Sequence, residues 1–363
     1  MDKEAGPSTT RTQRHKCSAC YKQFKRKEHL IEHMKISYHS FHQPRCHVCQ
    51  KHCQSFESVR EHLRGLFGKS SCSEIFSDRG CNLCLKVFDS ANALNEHREM
   101  CILSAPVPLG AKIMPTMESH PNISGVIDET SNGKGQRAVA MDCEMVGGGL
   151  DGSLDICARV CLVDEDENLI FHAYVKPQMP VTNYRYEVTG LTEDHLTDAM
   201  PLDKVKNKIS EVLYNGESIG RARLDGGNAR LLVGHSLSHD LECLRMSYPG
   251  HLLRDTAKYR PLMKTNLVSH PLKYLTKTYL GYVIQSGVHD PYEDCVSVMR
   301  LYKRMCAQDH QMKGFVSVYA GCGFDSIKSK ELEKMTPDEL YAVSMSNYQC
   351  WCLDSIKESS ICI

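Results

Sequence analysis

The chain lacks a net charge. Its 363 residues carry 44 Lys and Arg against 44 Asp and Glu, so bulk charge selects neither a polyanionic nor a polycationic partner. It lacks any apolar run of about 18 residues, so no helix is expected to span a bilayer. It also lacks an apolar stretch behind its opening MDKEAGPSTTRTQRHK, so no secretory signal is expected. Cysteine, by contrast, is plentiful at 19. In a reducing compartment that abundance favours metal ligation or buried thiols over disulfides. Cys143, Cys157, Cys161, Cys243 and Cys295 lie in apolar runs and read as small core residues.

The length allows two domains, since one core rarely grows past about 250–300 residues. Charge divides the chain in the same way. Residues 1–104 hold 17 Lys and Arg against 11 Asp and Glu, and the remainder holds 27 against 33. A basic front on an acidic rear suits a nucleic-acid holder joined to a metal-dependent cutter.

Residues 1–14 are polar and expected to be disordered; 15–103 carry three spaced Cys/His sets. The first is Cys17-x2-Cys20-x12-His33-x5-His39, with Phe24 and Leu30 inside the long gap. A tight turn offers two thiolates and a helix offers two imidazoles, which closes a tetrahedron around zinc. Cys81-x2-Cys84-x12-His97-x3-Cys101 repeats the pattern, with Phe88 and Leu94 at the same offsets. Between them, Cys46-x2-Cys49-x12-His62 has Cys53 where the others have Phe. It is either a distorted finger closed by Cys72 or a degenerate one, which gives two or three structural zinc ions. The first finger presents Lys25, Arg26, Lys27 and Lys35, a phosphate-contacting face more than a base-reading one. Protein docking and a purely structural role remain open readings.

Residues 104–136 are rich in Pro, Gly and Ser and read as a linker. A second domain then spans 137–308. It opens on Ala138–Val146, a strand in which Asp142 and Glu144 share one face. Two adjacent carboxylates repel and lose hydration, which a divalent cation with oxygen ligands, Mg²⁺ or Mn²⁺, offsets. A solvated edge strand is the alternative for this dyad alone. Asp155–Val163 and Leu169–Val175 read as two more strands of a meander, Pro201–Leu213 as a helix and Arg230–Gly234 as a buried strand. Asp240 falls in the first turn of a helix just beyond that strand, a frequent place for site residues in α/β sheets. Leu272–Leu280 is expected to be helical, with Gly281 as its stop. After His289-Asp290-Pro291, an amphipathic helix carries Asp294 on its apolar face.

These motifs resemble the DEDDh (DnaQ-like) 3′→5′ exonucleases: D-x-E on the first strand, G-H-x-L-x-x-D, and H-x4-D opening the last helix. MDCEMVG, Tyr186-x3-Gly190-Leu191-Thr192, GHSLSHD and Arg254-Asp255-Thr256 are similar to the RNA exonuclease 4 and interferon-stimulated exonuclease branch over roughly residues 137–306. The resemblance implies an RNase H-like α/β fold, a mixed sheet flanked by helices, behind small zinc-finger modules. It implies two Mg²⁺ or Mn²⁺ ions held by Asp142, Glu144, Asp240 and Asp294, with His289 as general base. Met145 and Val146 are implied to touch the terminal nucleotide, and His235 is a further substrate-side candidate that also reads as strand-end packing. His239 is expected to be exposed and Asp290 to face solvent. Asp155-Ile156-Cys157-Ala158-Arg159 departs from the family's Ser-x-Leu-Ala-Arg-like segment, and Ser269-His270-Pro271-Leu272-Lys273 from its Ser-Leu-Lys helix start.

The C-terminal extension, 309–363, contains a capping box, Thr336-Pro337-Asp338-Glu339, that starts a helix through Met345. The lone Trp351 is an anchor on the exonuclease domain or a docking residue. The expected function is 3′→5′ hydrolysis of single-stranded RNA ends by a monomer, without membrane involvement and with nuclear or nucleolar placement from the resemblance. DNA as substrate and a non-catalytic zinc-finger adaptor are the alternatives.

Overall fold

A computed structural model describes residues 14–37, 39–65, 70–109, 138–222, 227–308, 324, 327–344 and 350–356. Nearly all of the N-terminal segment and of the linker, the helix end at Met345 and the last seven residues lie outside that set. Contacts divide the chain into two units, 1–73 with 309–350 and 74–308 with 351–363. The units do not follow the linear order of fingers, exonuclease domain and extension.

In the first unit, β1 (His15–Lys16) and β2 (Gln23–Phe24) pair antiparallel ahead of the helix Lys27–Ser37. The second finger has a bridge between Arg45 and His52 and the helix Phe56–Leu63, capped by the Ser55 side chain on Ser58 N. Chain from far downstream completes this unit. The Thr336 and Glu339 side chains accept each other's backbone N–H at 3.3 and 2.7 Å and start the helix Pro337–Ser344. Its Leu340 and Val343, with Leu332 and Met335, pack on Leu30, Ile31 and Met34 of the first finger. A Cys/His module of this length buries too little to make much of a core, and this segment supplies a second layer.

In the second unit, the third finger has a bridge between Gly80 and Val87 and the helix Ala91–Cys101, capped by Ser90 on Ala93 N. A six-stranded mixed sheet follows. β3 (Ala138–Gly148), β4 (Leu154–Val163) and β5 (Leu169–Tyr174) form the expected meander. β6 (Val181–Asn183) pairs with the end of β3. β7 (Leu231–Gly234) lies parallel to β3, and β8 (Leu253–Asp255) parallel to β7, in the order β5-β4-β3-β7-β8. β3 and β7 are almost wholly buried, as strands covered on both faces are. The amphipathic helix Leu202–Tyr214 buries Leu202, Val205, Ile209 and Leu213 on the way to β7. This is the expected RNase H-like α/β class, a mixed sheet flanked by helices.

Two details differ from the sequence reading. The helix over 272–280 is α only for Leu272–Leu275 and then widens into a π turn, Thr276–Leu280. That turn ends at Gly281, whose φ of +93° is costly for any residue with a Cβ. Trp351 is buried, stacked on Tyr259 at 3.8 Å between ring centroids, and Asp354 makes a fork of two 2.7 Å bonds with Arg254. The anchor reading of Trp351 therefore holds for the 351–356 segment, while the helix Pro337–Ser344 belongs to the other unit.

Candidate active site

Parallel pairing of β3 with β7, Ala138 opposite Leu231 through Ala140 opposite Val233, carries these two interior strands toward the same end of the sheet. Asp142 and Glu144 lie on β3 just past that pairing. β7 ends at Gly234, where an added Cβ would meet the Leu237 side chain at 2.3 Å and Met141 O at 3.0 Å. Only glycine permits that approach, and the chain then turns through His235-Ser236 into the helix Leu237–Cys243, with Asp240 in its first turn. The helix Pro291–Cys306 carries Asp294. His289 precedes it, fixed by a 2.7 Å bond from its backbone N–H to Val188 O.

Ligand atoms of Glu144, His289 and Asp294 lie within 4.8 Å of one another. Burial raises the Asp142 carboxyl well above the usual range, and Asp294, Asp240 and Glu144 raise it further. Burial, then Asp294, pushes Glu144 up to about 8, against the opposing Arg159 guanidinium. Burial pushes Asp240 to about 7 and Asp294 to about 7, the latter opposed by a hydrogen bond from Gln285. Burial is the first cause in each case, and for Asp142 and Glu144 the neighbouring site acids add to it, as crowded buried carboxylates do. Asp294 Oδ2 accepts from Gln285 Nε2 at 2.8 Å, but its Oδ1 is buried without a hydrogen-bond partner. An orphaned carboxylate oxygen among three other acids fits a hard divalent cation. The His289 imidazole is held below its ordinary value by burial and by Lys273, which favours the neutral form.

Two expectations need correction. Val146 is fully buried among Ile156, Ala158, Leu191 and Leu196, because this part of β3 is roofed by the segment around Leu191, and it cannot touch a nucleotide; Met145 beside it keeps partial exposure. Asp290 does not face solvent. It is 9 % exposed, caps the N–H groups of Tyr292 and Glu293 and pairs with Arg159 at 3.4 Å. The free end of the helix needs an acceptor at that position. The departure at Asp155 also has a physical role, since it joins Arg185 at 2.6 Å and His239 at 2.6 Å. His239 is exposed as expected. His235 is partly buried and bonded to Thr256 Oγ1 at 2.9 Å. Gln285 was not anticipated: it stands in a loop nine residues before Asp294, where no periodicity marks it.

The Cys/His sets converge as three groups, Cys17-Cys20-His33-His39, Cys46-Cys49-His62-Cys72 and Cys81-Cys84-His97-Cys101, each with ligand atoms within 4.8 Å. Every knuckle repeats one geometry. The first Cys N–H donates five residues ahead, at 2.9 to 3.0 Å, and the residue four after it (Tyr21, Gln50, Leu85) takes φ of +60 to +64°. In the first group Nε2 of His33 and His39 meet at 3.2 Å, while their Nδ1 atoms bond Ser37 and Gln43, as outer partners orient metal-binding imidazoles. Cys53 stays outside the middle group.

Residues 139–302 match a family model described as Exonuclease (RNase_T). The chain is similar to RNA exonuclease 4 of Homo sapiens, 34% identical over 178 residues, covering 49% of this chain and 39% of that one. It is 37% identical to RNA exonuclease 4 of Aspergillus fumigatus over 168 residues (46% and 50%), and 36% identical to that of Kluyveromyces lactis over 175 residues (48% and 54%). The chain thus spans about half or less of these relatives. Among solved structures it is similar to the Pan2 catalytic unit of Neurospora crassa, at 21% identity and a TM-score of 0.40, over 49% of this chain and 28% of that one. Residues 139–302 are thus similar to an exonuclease family that depends on divalent metal.

Proposed function

We propose that the protein is a 3′→5′ exoribonuclease that hydrolyses single-stranded RNA ends to nucleoside 5′-monophosphates. The observation that carries this reading is the meeting of Glu144, His289 and Asp294 within 4.8 Å at the buried, unpaired Asp294 Oδ1, with Asp142 and Asp240 near enough to share their charge. Asp142, Glu144, Asp240 and Asp294 would hold two Mg²⁺ or Mn²⁺ ions. When bound, such ions supply an activated water and stabilise charge on the leaving 3′ oxygen. His289, in its neutral form, takes the proton of the attacking water at a ring nitrogen. Gln285 fixes the Asp294 carboxylate, and Met145 edges the terminal nucleotide. RNA over DNA rests on similarity to the RNA exonuclease 4 relatives, and nuclear or nucleolar placement on the same ground. The three Cys/His groups would each hold a structural zinc.

End-labelled RNA and DNA of one sequence, incubated with Mg²⁺ or Mn²⁺, test the reading. Wild type should shorten RNA stepwise from the 3′ end, faster than DNA, while Asp142→Ala loses roughly 10³-fold or more in rate. Binding of RNA by the wild type without shortening would establish the adaptor instead.

A further inference from the structure

A buried cation stands beside the carboxylate pocket. Arg159 lies on β4 directly opposite Glu144 of β3, so the two side chains leave the sheet on the same face. It is 9 % exposed, and its N–H groups are committed away from Glu144. Nε donates to His172 Nε2 at 2.8 Å, and Nη2 donates to Asp290 Oδ2 at 3.4 Å. Burial and the guanidinium push the His172 imidazole down to about 4, so Nε2 is a free acceptor. The guanidinium also lies 5.8 Å from the centre of the Tyr174 ring. His172 and Tyr174 belong to β5, and together they aim Arg159 at Asp290.

Asp290 holds the other side. Its Oδ1 accepts from the N–H groups of Tyr292 and Glu293 at 3.0 and 3.3 Å, and its backbone oxygen accepts from Asp294 N–H at 3.1 Å. His289 precedes it in the chain. One arginine side chain thus ties β4 and β5 to the turn that carries both His289 and Asp294. A buried ion pair adds little net stability, because both charges lose hydration, and apolar side chains of similar volume often serve as well. What this pair fixes is a distance. Ligand atoms of Glu144, His289 and Asp294 meet within 4.8 Å, across a gap between a strand and a helix start. We infer that Arg159 is a positioning residue for the metal site: through Asp290 it holds the His289–Asp294 turn at a set spacing from Glu144. The inference rests on the proposed nuclease site for the role of these ligands, and metal binding tests it without hydrolysis.

Charge and position predict opposite signs. A cation beside the site repels Mn²⁺, so its removal would tighten metal binding on charge alone, whereas loss of the spacing weakens it. The full chain, free of RNA, is titrated with Mn²⁺, the free ion is followed by electron paramagnetic resonance, and Tm is recorded for each variant. Arg159→Gln should weaken Mn²⁺ by about 10–100-fold. Asp290→Asn keeps Oδ1 for Tyr292 and Glu293 and should have the same effect. The double variant should bind no more weakly than the worse single, because the two act through one contact. Arg159→Lys keeps the charge but cannot serve His172 and Asp290 together. It should fall between wild type and Arg159→Gln, and with Asp290→Asn it carries the test if Arg159→Gln does not fold. On RNA, kcat should recover at saturating Mn²⁺, with KM for RNA within about twofold of wild type. Mn²⁺ bound by Arg159→Gln as tightly as by wild type, or more tightly, overturns the inference. So do losses that add in the double variant, or a lowered Tm at unchanged Mn²⁺ affinity. A wild type that shortens no RNA while these Mn²⁺ shifts persist would defeat the nuclease reading and leave the positioning role standing.

Discussion

The carboxylate pocket and the Cys/His clusters assemble their ligand atoms in opposite ways. Asp142, Glu144, Asp240, His289 and Asp294 arrive from three segments spread between positions 142 and 294, set by a sheet and helices that have their own core. Each Cys/His cluster draws on about 20 to 27 residues of chain around a handful of apolar side chains. In the pocket the fold forces like charges together, and a cation relieves the repulsion. In the clusters a bound zinc ion would close the fold itself. Metal removal should therefore cost activity in one region and structure in the other.

The largest effect should come from the place where this division weakens. The third cluster is bonded to the exonuclease domain: Leu103 N–H donates to Leu280 O at 3.0 Å, Arg304 Nη2 to Cys101 O at 2.6 Å and Arg300 Nη1 to Ser104 O at 2.7 Å. Arg300, Arg304 and Asp294 share one helix. Cys84→Ser should remove one zinc, lower the domain's Tm by roughly 10 °C and reduce kcat severalfold. Cys49→Ser, in the other unit, should also remove one zinc yet keep kcat on a short oligonucleotide within about twofold. Metal stoichiometry, calorimetry and single-turnover rates distinguish the two, and equal kcat in both variants would restore the clean division.

A smaller effect sharpens the pocket side. Gln285 has φ of +55° and donates to Asp294 at 2.8 Å. Asn tolerates that left-handed backbone but is a methylene too short to reach. Gln285→Asn should raise the Mg²⁺ concentration for half-maximal rate by about 10–100-fold, with Tm nearly unchanged and activity recovered at saturating Mg²⁺. A lowered kcat at saturation would instead place Gln285 on the reacting atoms.

What could be read from the sequence follows the same contrast. The Cys/His sets announce themselves because their members are local in the chain, and the structure repeats one backbone angle at Tyr21, Gln50 and Leu85. β3, β4, β5 and β7 are legible from apolar runs, and Asp142, Asp240 and Asp294 from acids that stand where a neutral core has no use for them. β6 and β8, of three residues each, carry too short a pattern. The Arg159–Asp290 pair spans 131 positions and the Arg254–Asp354 fork spans 100, and neither partner bears a local sign of the other. The return of Leu340 and Val343 to the first finger is invisible for that reason too.

The mildest prediction concerns protons. Unfolded carboxyls titrate near pH 4, whereas folded Glu144 titrates at about 8 and Asp240 and Asp294 at about 7. Between those limits the folded protein binds more protons than the unfolded chain, so stability falls as pH rises and levels off once the folded values are passed. In magnesium-free buffer, without chelators that would strip zinc, Tm should drop by several degrees from pH 5 to pH 8. Mn²⁺ should raise Tm more at pH 8 than at pH 5, because the cation binds the deprotonated set. Asp294→Asn removes one of the crowded charges and should flatten the slope while abolishing activity. The Cys/His clusters work in the opposite sense, since thiolate ligation strengthens with pH, and a Tm that rises across this window would mean that they, not the carboxylates, govern the stability of the exonuclease domain.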